Sequence, residues 1–366
     1  MEYIVPHRGT FETLVLVKGE TGMASKEYVV AVVGATGAVG QQMLKYLESR
    51  QFPVKELRPL SSARSAGKTL TFRGEEVTVQ EATPDAFENV DIALFSAGGS
   101  VSKRLAKEAV QRGAVVIDNT NAFRMTEGVP LVVPEVNKEA IYTHQGIISN
   151  PNCSTIQMVV ALKPLLDRYG IERIIVSTYQ SVSGAGWKAQ QELKKQTEAY
   201  LEGKTVPTEI LPVASMDRHY QQAFNVIPQI DVFDQDGYTL EEMKMVRETK
   251  KIFNNEEIGV TATCVRVPVL RGHSESIYVE LKEDYQLDEV KTLFAQQEGL
   301  IVQDAIEEQV YPMPLPATDR TEVFVGRIRR DLHHPRGLNF WVVSDNLLKG
   351  AATNTIQIAE ALIERD

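Results

Sequence analysis

With 366 residues, 43% of them hydrophobic and 24% charged, the chain is too long for one ordinary core and has the composition of a soluble two-domain globular protein. A net charge of −10 disfavours nonspecific binding to nucleic acid or anionic membranes, while leaving room for a local cationic pocket that takes a small anion. Two cysteines far apart, with no Cys-x-x-Cys pair and no Cys/His cluster, argue against a disulfide framework or a metal site and fit a reducing compartment.

Residues 1–22 alternate apolar and polar side chains without committing to helix or strand, and they lack the apolar core of a secretory signal. No later stretch approaches the roughly 20 apolar residues needed to cross a bilayer, so a cytoplasmic location is expected. The fold is expected to begin near Glu27, with 1–22 a non-native or disordered extension. Met23 is the expected natural start, because Lys18-Gly19-Glu20 can be encoded by a purine-rich stretch resembling a bacterial ribosome-binding site. Residues 28–33 then form a continuous apolar β run that enters Gly34-Ala35-Thr36-Gly37-Ala38-Val39-Gly40 and a helical pattern over 41–48. Short apolar runs at 92–96, 115–118 and 147–149, the first two separated by a helix-like 101–112, continue the βαβ rhythm of a parallel sheet. Beyond residue 153 the pattern changes. Longer strands at 174–181, 260–270, 277–281 and 338–344 predict a mixed or antiparallel sheet, with helices at 187–201 and 240–253. A last helix over 347–364 is long enough to return to the first domain.

In its strand-turn-helix setting the glycine loop points to a dinucleotide, because glycines permit close backbone approach to a pyrophosphate that the helix N-terminus then stabilises. Its G-x-x-G-x-x-G spacing departs from G-x-G-x-x-G, so an ordinary βα turn is the competing reading of the loop alone. Ala97-Gly98-Gly99-Ser100 repeats the arrangement at a later strand end. After the second strand, where an NAD site usually carries an acid for the ribose hydroxyls, the chain has Ser61-Ser62-Ala63-Arg64-Ser65-Ala66-Gly67-Lys68. Hydroxyls and cations without an acid favour a 2′-phosphate and hence NADP.

Ser149-Asn150-Pro151-Asn152-Cys153-Ser154-Thr155-Ile156-Gln157 puts a cysteine just after a proline turn and just before an apolar-periodic run. Cys153 is expected to cap a helix, where free N–H groups and the positive end of the macrodipole favour thiolate over thiol. Core packing is the alternative for a cysteine taken in isolation, and Cys264, inside a strand-like run, reads that way. A thiolate beside a nicotinamide site points to aldehyde chemistry through a thiohemiacetal and a thioester, which needs a base. Among six histidines His273 is the most suggestive, between two strand patterns with arginines upstream; His7, His144, His219, His333 and His334 have no comparable setting.

The glycine loop, Asp118-Asn119-Thr120-Asn121-Ala122-Phe123-Arg124-Met125, Asn150-Pro151-Asn152-Cys153-Ser154-Thr155, Thr178-Tyr179-Gln180-Ser181-Val182-Ser183-Gly184-Ala185-Gly186, Glu241-Glu242-Met243-Lys244, the stretch from Arg266 to Ser274, and Asn346-Leu347-Leu348-Lys349-Gly350-Ala351-Ala352 together resemble the aspartate-β-semialdehyde dehydrogenase family, in its Gram-positive-type bacterial branch. The resemblance runs from about Glu27 to the C-terminus. It implies an α/β fold with a Rossmann-like NADP-binding domain, 23–151 plus 346–366, and an α+β catalytic and dimerisation domain with a mixed sheet, 152–345. The implied activity is NADP-dependent reductive dephosphorylation of L-aspartyl-4-phosphate to L-aspartate-4-semialdehyde, by a homodimer, in biosynthesis of lysine and diaminopimelate, threonine, methionine and isoleucine.

By the same resemblance Cys153 is the nucleophile, His273 the acid/base, and Gln180 the residue that orients substrate near the sulfur. Arg266 meets the substrate α-carboxylate, which its planar fork can hold through two hydrogen bonds, and Glu241 meets the amino group. Arg124, Lys244 and Asn152 form the phosphate site. The implied cofactor contacts are Gly34, Thr36, Gly37, Ala38, Val39, Gly40, Ser61, Ser62, Arg64, Ser65, Ala97, Gly98, Ser183, Gly184 and Asn346. Glu241 and Lys244 are also three apart on a helix, so an exposed pair worth only about 0.2–0.5 kcal/mol is the plain alternative. Competing activities are N-acetyl-γ-glutamyl-phosphate reductase, a glyceraldehyde-3-phosphate dehydrogenase, or a non-catalytic NADP-binding paralogue; the free-amine partner Glu241 and the retention of both Cys153 and His273 favour the aspartate enzyme.

Overall fold

The structure, a computed structural model, describes residues 26–364. The expected extension over 1–22 and the start at Met23 lie outside the described residues. The first half contains strands β1 (Tyr28–Val33), β2 (Val54–Ser61), β3 (Thr69–Phe72), β4 (Glu75–Thr78), β5 (Gln80–Glu81), β6 (Ile92–Phe95), β7 (Val115–Asp118) and β8 (Ile147–Ser149), with helices α1 (Ala38–Ser49), α2 (Gly99–Gln111) and α3 (Pro134–Asn137). Six strands form an all-parallel sheet in the order β5-β2-β1-β6-β7-β8, and β3 pairs with β4 as a separate hairpin. β1 is buried almost throughout, as a parallel strand covered on both faces must be.

The second half contains α4 (Cys153–Tyr169), β9 (Ile171–Gln180), α5 (Trp187–Leu201), α6 (Leu240–Phe253), β10 (Gly259–Arg266), β11 (His273–Leu281), α7 (Leu287–Gln296), β12 (Leu300–Val302), α8 (Pro314–Ala317), β13 (Val323–Arg330), β14 (Gly337–Ser344) and α9 (Thr353–Ile363). Its sheet runs β10-β9-β11-β14-β13-β12 and is mixed: β10 with β9 and β12 with β13 are parallel, and the other neighbours antiparallel. α4 lies in the interior. Ile156, Met158, Val159, Leu162 and Leu165 pack on Ile174, Val176, Ile277, Val279, Phe340 and Val342 of the mixed sheet, so the start of this helix is fixed against the strand ends.

α9 returns to the first sheet, where Ile356 and Ala359 join Met43, Leu44 and Leu47 of α1 in one cluster. The final helix nevertheless differs from the expected continuous 347–364: residues Leu348–Ala352 form a π-helical turn before α9 begins. The expected strand over 260–270 ends at Arg266, because Pro268 has no N–H to continue a ladder. The hairpin β3–β4 and the elements α7, β12 and β13 were not anticipated from periodicity. Among the described residues, no helix is long and apolar enough to cross a membrane.

Candidate active site

Cys153 is the first residue of α4, one position inside the N-cap Asn152, whose side chain makes no capping bond. It therefore does not itself cap the helix, although it stands at the predicted end. Its immediate surroundings are polar and buried. Glu241, on the first turn of α6, accepts from Asn152 Nδ2 (2.7 Å), Ser154 Oγ (3.1 Å) and Gln180 Nε2 (3.1 Å) through one oxygen and from Lys244 Nζ (3.2 Å) through the other. The exposed-pair alternative for Glu241 and Lys244 is thus excluded, since the acid is 5% exposed. Burial opposes its charge, but Lys244, then Asn152 and Gln180, outweigh that and hold the carboxyl down to about 2.

A second acid on the same face of α6 ties together two residues of the cleft. Glu248 pairs with Arg124 Nη1 (3.0 Å) and accepts the backbone N–H of Asn152 (2.7 Å). Arg124 also donates to the carbonyls of Asn150 and Asn119, so its guanidinium is locked in place at the floor of the cleft. Asp231 pairs with Lys244 at 3.0 Å; neither it nor Glu248 was anticipated. Arg266 donates through Nη1 to the Ser181 carbonyl (2.7 Å), and its Nε has no partner. One cleft is lined by Arg124, Asn152, Cys153, Gln180, Glu241, Lys244 and Arg266, with Asn121, Asp231, Gly184 and the segment from Ile210 to Ala214 as further walls. The helical spacing of Glu241, Lys244 and Glu248 was a legible signal for Glu248; nothing local marked Asp231.

His273 opens β11 and is fully buried, behind Gly184 as seen from the cleft: a Cβ on Gly184 would lie 3.4 Å from His273 Cε1 and Nε2 and 2.9 Å from Arg266 Nη1. Ser181 donates its backbone N–H to Nδ1 at 3.1 Å, its hydroxyl lies 3.1 Å from the same nitrogen, and Nε2 has no partner. Burial, reinforced by the Arg266 charge, brings the imidazole down to about 3, so it is neutral. Cys153 is also neutral here. Burial and the Glu241 carboxylate push its thiol up to about 12, against Arg124, Arg266 and the Ser154 N–H, so the helix terminus alone does not produce the expected thiolate. Gly350, in the π turn, packs directly on Cys153: its missing Cβ would stand 2.7 Å from Cys153 Cβ. Cys264 is buried in the core, as expected.

A second cleft opens at the C-terminal ends of β1, β2 and β6, lined by Gly34, Thr36, Gly37, Ser61, Ser62, Ala63, Ser96, Ala97, Val101, Arg104 and Glu81 among others. It fits a dinucleotide. Gly34 has φ +89°, and its would-be Cβ lies 3.0 Å from Ala97 N, so the two glycine turns converge only without a side chain. α1 and α2 both begin there without side-chain caps, leaving their first N–H groups for an anion. Gly40 does not line this cleft; a Cβ there would fall 2.2 Å from Gly34 O, which makes it a packing glycine. Ala38, Val39, Arg64, Ser65 and Gly98 also lie outside the lining, with Arg64 exposed in the turn after β2, while Arg104 was not anticipated. Ser183 and Asn346 meet at 3.0 Å near His273, and Asn346 Oδ1 also accepts from Ser181 Oγ and the Gly272 N–H.

The family described as semialdehyde dehydrogenase, NAD binding domain, matches residues 29–144, and that described as semialdehyde dehydrogenase, dimerisation domain, matches residues 162–349. The chain is 59% identical to an aspartate-semialdehyde dehydrogenase of Bacillus subtilis over 334 residues, 91% of this chain and 96% of that relative. The crystal structure of aspartate semialdehyde dehydrogenase II of Vibrio cholerae, complexed with ASA, superposes with a TM-score of 0.89 at 50% identity, covering 93% of this chain and 99% of that one. The aspartate semialdehyde dehydrogenase of Candida albicans, solved with NADP, matches at a TM-score of 0.71 and 26% identity, over 92% and 98% of the two chains. The thiol at a buried helix start, the paired charges around it and the dinucleotide cleft beside it are accordingly those of a chain that belongs to the aspartate-semialdehyde dehydrogenase family.

Proposed function

We propose that the chain reduces L-aspartyl-4-phosphate to L-aspartate-4-semialdehyde with release of phosphate, using NADPH. The observation that carries the substrate reading is Glu241, an ionised buried carboxylate in the cleft of Cys153 and Arg266. It gives a free substrate ammonium a partner and would leave an N-acylated substrate with none. Arg266 holds the α-carboxylate, its unpaired Nε being a ready donor, and Arg124, Lys244 and Asn152 receive the phosphate. Gln180 orients the acyl group.

Cys153 Sγ attacks the acyl carbon, the C–O bond to phosphate breaks, and a thioester forms on the sulfur. His273 takes the thiol proton at Nε2 in the tautomer whose Nδ1 carries the hydrogen and donates it to Ser181 Oγ, in place of the tautomer whose Nδ1 accepts the Ser181 N–H. The N–H groups at the start of α4 stabilise the oxyanion of each tetrahedral state. A nicotinamide cofactor held by Gly34, Thr36, Gly37 and Ser61 would supply the hydride for the thioester carbon. Collapse of the resulting thiohemiacetal breaks the C–S bond and forms the aldehyde, and His273 returns the proton to sulfur. The substrate's phosphate and carboxylate place Arg124 and Arg266 beside reacting atoms, and exclusion of water strengthens their pull on the thiolate.

NADP over NAD rests on Ser61, Ser62 and Arg64 at the ribose end, with no acid at the end of β2. On this reading residues 23–151 with 346–366 bind the nucleotide, 152–345 carry the chemistry, and a second copy pairs through the outer face of the mixed sheet, where Tyr179 and Ile175 are exposed and Tyr179 packs at a tilt on Trp341. Phosphate-dependent reduction of NADP should occur with aspartate semialdehyde and not with N-acetylglutamate semialdehyde or glyceraldehyde 3-phosphate. Activity on either of the latter alone would displace the proposal.

A further inference from the structure

The first three residues of β11, His273 to Glu275, are all buried, and from Glu275 onward the strand alternates, with Glu275, Ile277, Val279 and Leu281 inward. The last three belong to the core beneath α4, so Glu275 stands where the pattern calls for an aliphatic residue. It is fully buried, and among the described residues neither carboxyl oxygen has a partner at full hydrogen-bond geometry, the Gln157 amide being the polar group that faces it. Burial pushes this carboxyl well above the ordinary range, the Gln157 amide opposing and the Glu241 charge adding to the effect. An ionised acid here would be an uncompensated charge in the core, close enough to Glu241 to repel it.

Gln157 lies on α4 one turn beyond Cys153 and is itself fully buried. Its Oε1 accepts from Ser344 Oγ at 2.6 Å, and its Nε2 has no other partner. Ser344 stands opposite His273 in the β11–β14 ladder. One amide therefore bridges the first turns of the nucleophile helix to the sheet at the level of the histidine, with its unpaired N–H edge left for Glu275.

We propose that Glu275 is a positioning residue, an uncharged acid that takes the Gln157 amide and so holds the start of α4, and with it Cys153, against the strand that carries His273. The inference rests on the roles given to Cys153 and His273 above. Glu275→Gln preserves shape and neutrality, whereas Glu275→Leu preserves volume and removes the hydrogen bonding. In the full-length enzyme Glu275→Gln keeps kcat within about threefold of the parent. Glu275→Leu lowers kcat roughly tenfold or more, with KM for NADP and semialdehyde unchanged. Infrared spectra of the parent carry a protonated-carboxyl band at neutral pH that is missing from Glu275→Gln.

Should Glu275→Leu not fold, Gln157→Leu removes the other half of the contact, and the same loss in kcat is expected. A Glu275→Gln enzyme as impaired as Glu275→Leu, or a parent without the infrared band, overturns the neutral acid. Parental kcat in Glu275→Leu or Gln157→Leu overturns the positioning. Failure of the underlying reading shows itself separately, as phosphate-dependent activity that survives Cys153→Ala, and leaves the infrared band as it was.

Discussion

Arg124 Nη1 lies 3.0 Å from Glu248 Oε1, while the other oxygen of the same acid receives the Asn152 backbone N–H at 2.7 Å. One carboxylate on α6 thereby joins the loop after β7 to the residue that precedes the nucleophile. Both ends of the ion pair are nearly inaccessible, with side chains 9% and 2% exposed. Glu248→Ala leaves a guanidinium and an N–H without their partner, and breaking such a pair costs about 3 kcal/mol. Urea denaturation should register that loss, and the KM for phosphate should rise more than the KM for NADP. Equal rises in the two would detach Glu248 from the anion site.

Gly350 sets a steric limit on the nucleophile. Because a Cβ there would stand 2.7 Å from Cys153 Cβ, Gly350→Ala must displace the start of α4 or the π turn. A shift near 1 Å in a reacting group costs roughly 10²-fold in rate. The expected result is a folded chain with intact NADPH binding, measured by fluorescence, and a kcat lowered on that scale. Unchanged kcat would show that the contact relaxes without moving the sulfur.

Cys153 is half-buried, and desolvation with the Glu241 charge pushes its thiol up to about 12. Alkylation by iodoacetamide should be slow near neutrality and should accelerate steadily through alkaline pH, with no plateau in the neutral range. A plateau at or below neutral pH would mean that the helix terminus and the arginines already win in the free enzyme.

Two buried groups make the fold acid-sensitive in windows that overlap only at their low-pH and high-pH ends respectively. His273 titrates near 3 in the folded chain, whereas an unfolded histidine protonates near pH 6.5, so the unfolded state binds more protons in between and stability falls from about 6.5 down to about 3. Glu241 is held at about 2, against about 4.3 for an unfolded glutamate; its contribution, about 3 kcal/mol, is complete above pH 4.3 and lost as pH falls toward 2. Denaturation midpoints should therefore drop between neutral pH and about pH 5 in the parent and hold nearly level in His273→Asn. A drop of the same size in both chains would place the acid sensitivity elsewhere.

For the nucleotide, Arg64→Ala should raise the KM for NADP more than that for NAD. Arg104, which lines the cleft itself, serves as the comparison. An equal effect of Arg64→Ala on both nucleotides would remove it from the 2′-phosphate.

The elements that could be read locally are those whose periodicity is set by their own burial. α5 and α6 begin and end where the apolar spacing put them, and β1, the glycine turn and α1 follow in the predicted order. Cys153, Gln180, Glu241, Lys244 and Arg266 were legible as a group because each sits in a motif with a chemical reason for its residue type, and the fold brings them into one cleft.

Composition and motif order by themselves determined that the chain has a dinucleotide turn, a thiol at a helix start and a set of charges suited to an amino acid bearing an acyl phosphate. Tertiary structure decided what those groups are when assembled. Asp231 and Glu275 lie about 80 to 120 residues from Cys153 in sequence, and no local pattern reports which side chains will face one another across a cleft. Ionisation belongs to the same class: a helix terminus visible in sequence favours thiolate, but burial beside Glu241 outweighs it, because desolvation depends on every element that closes over the sulfur.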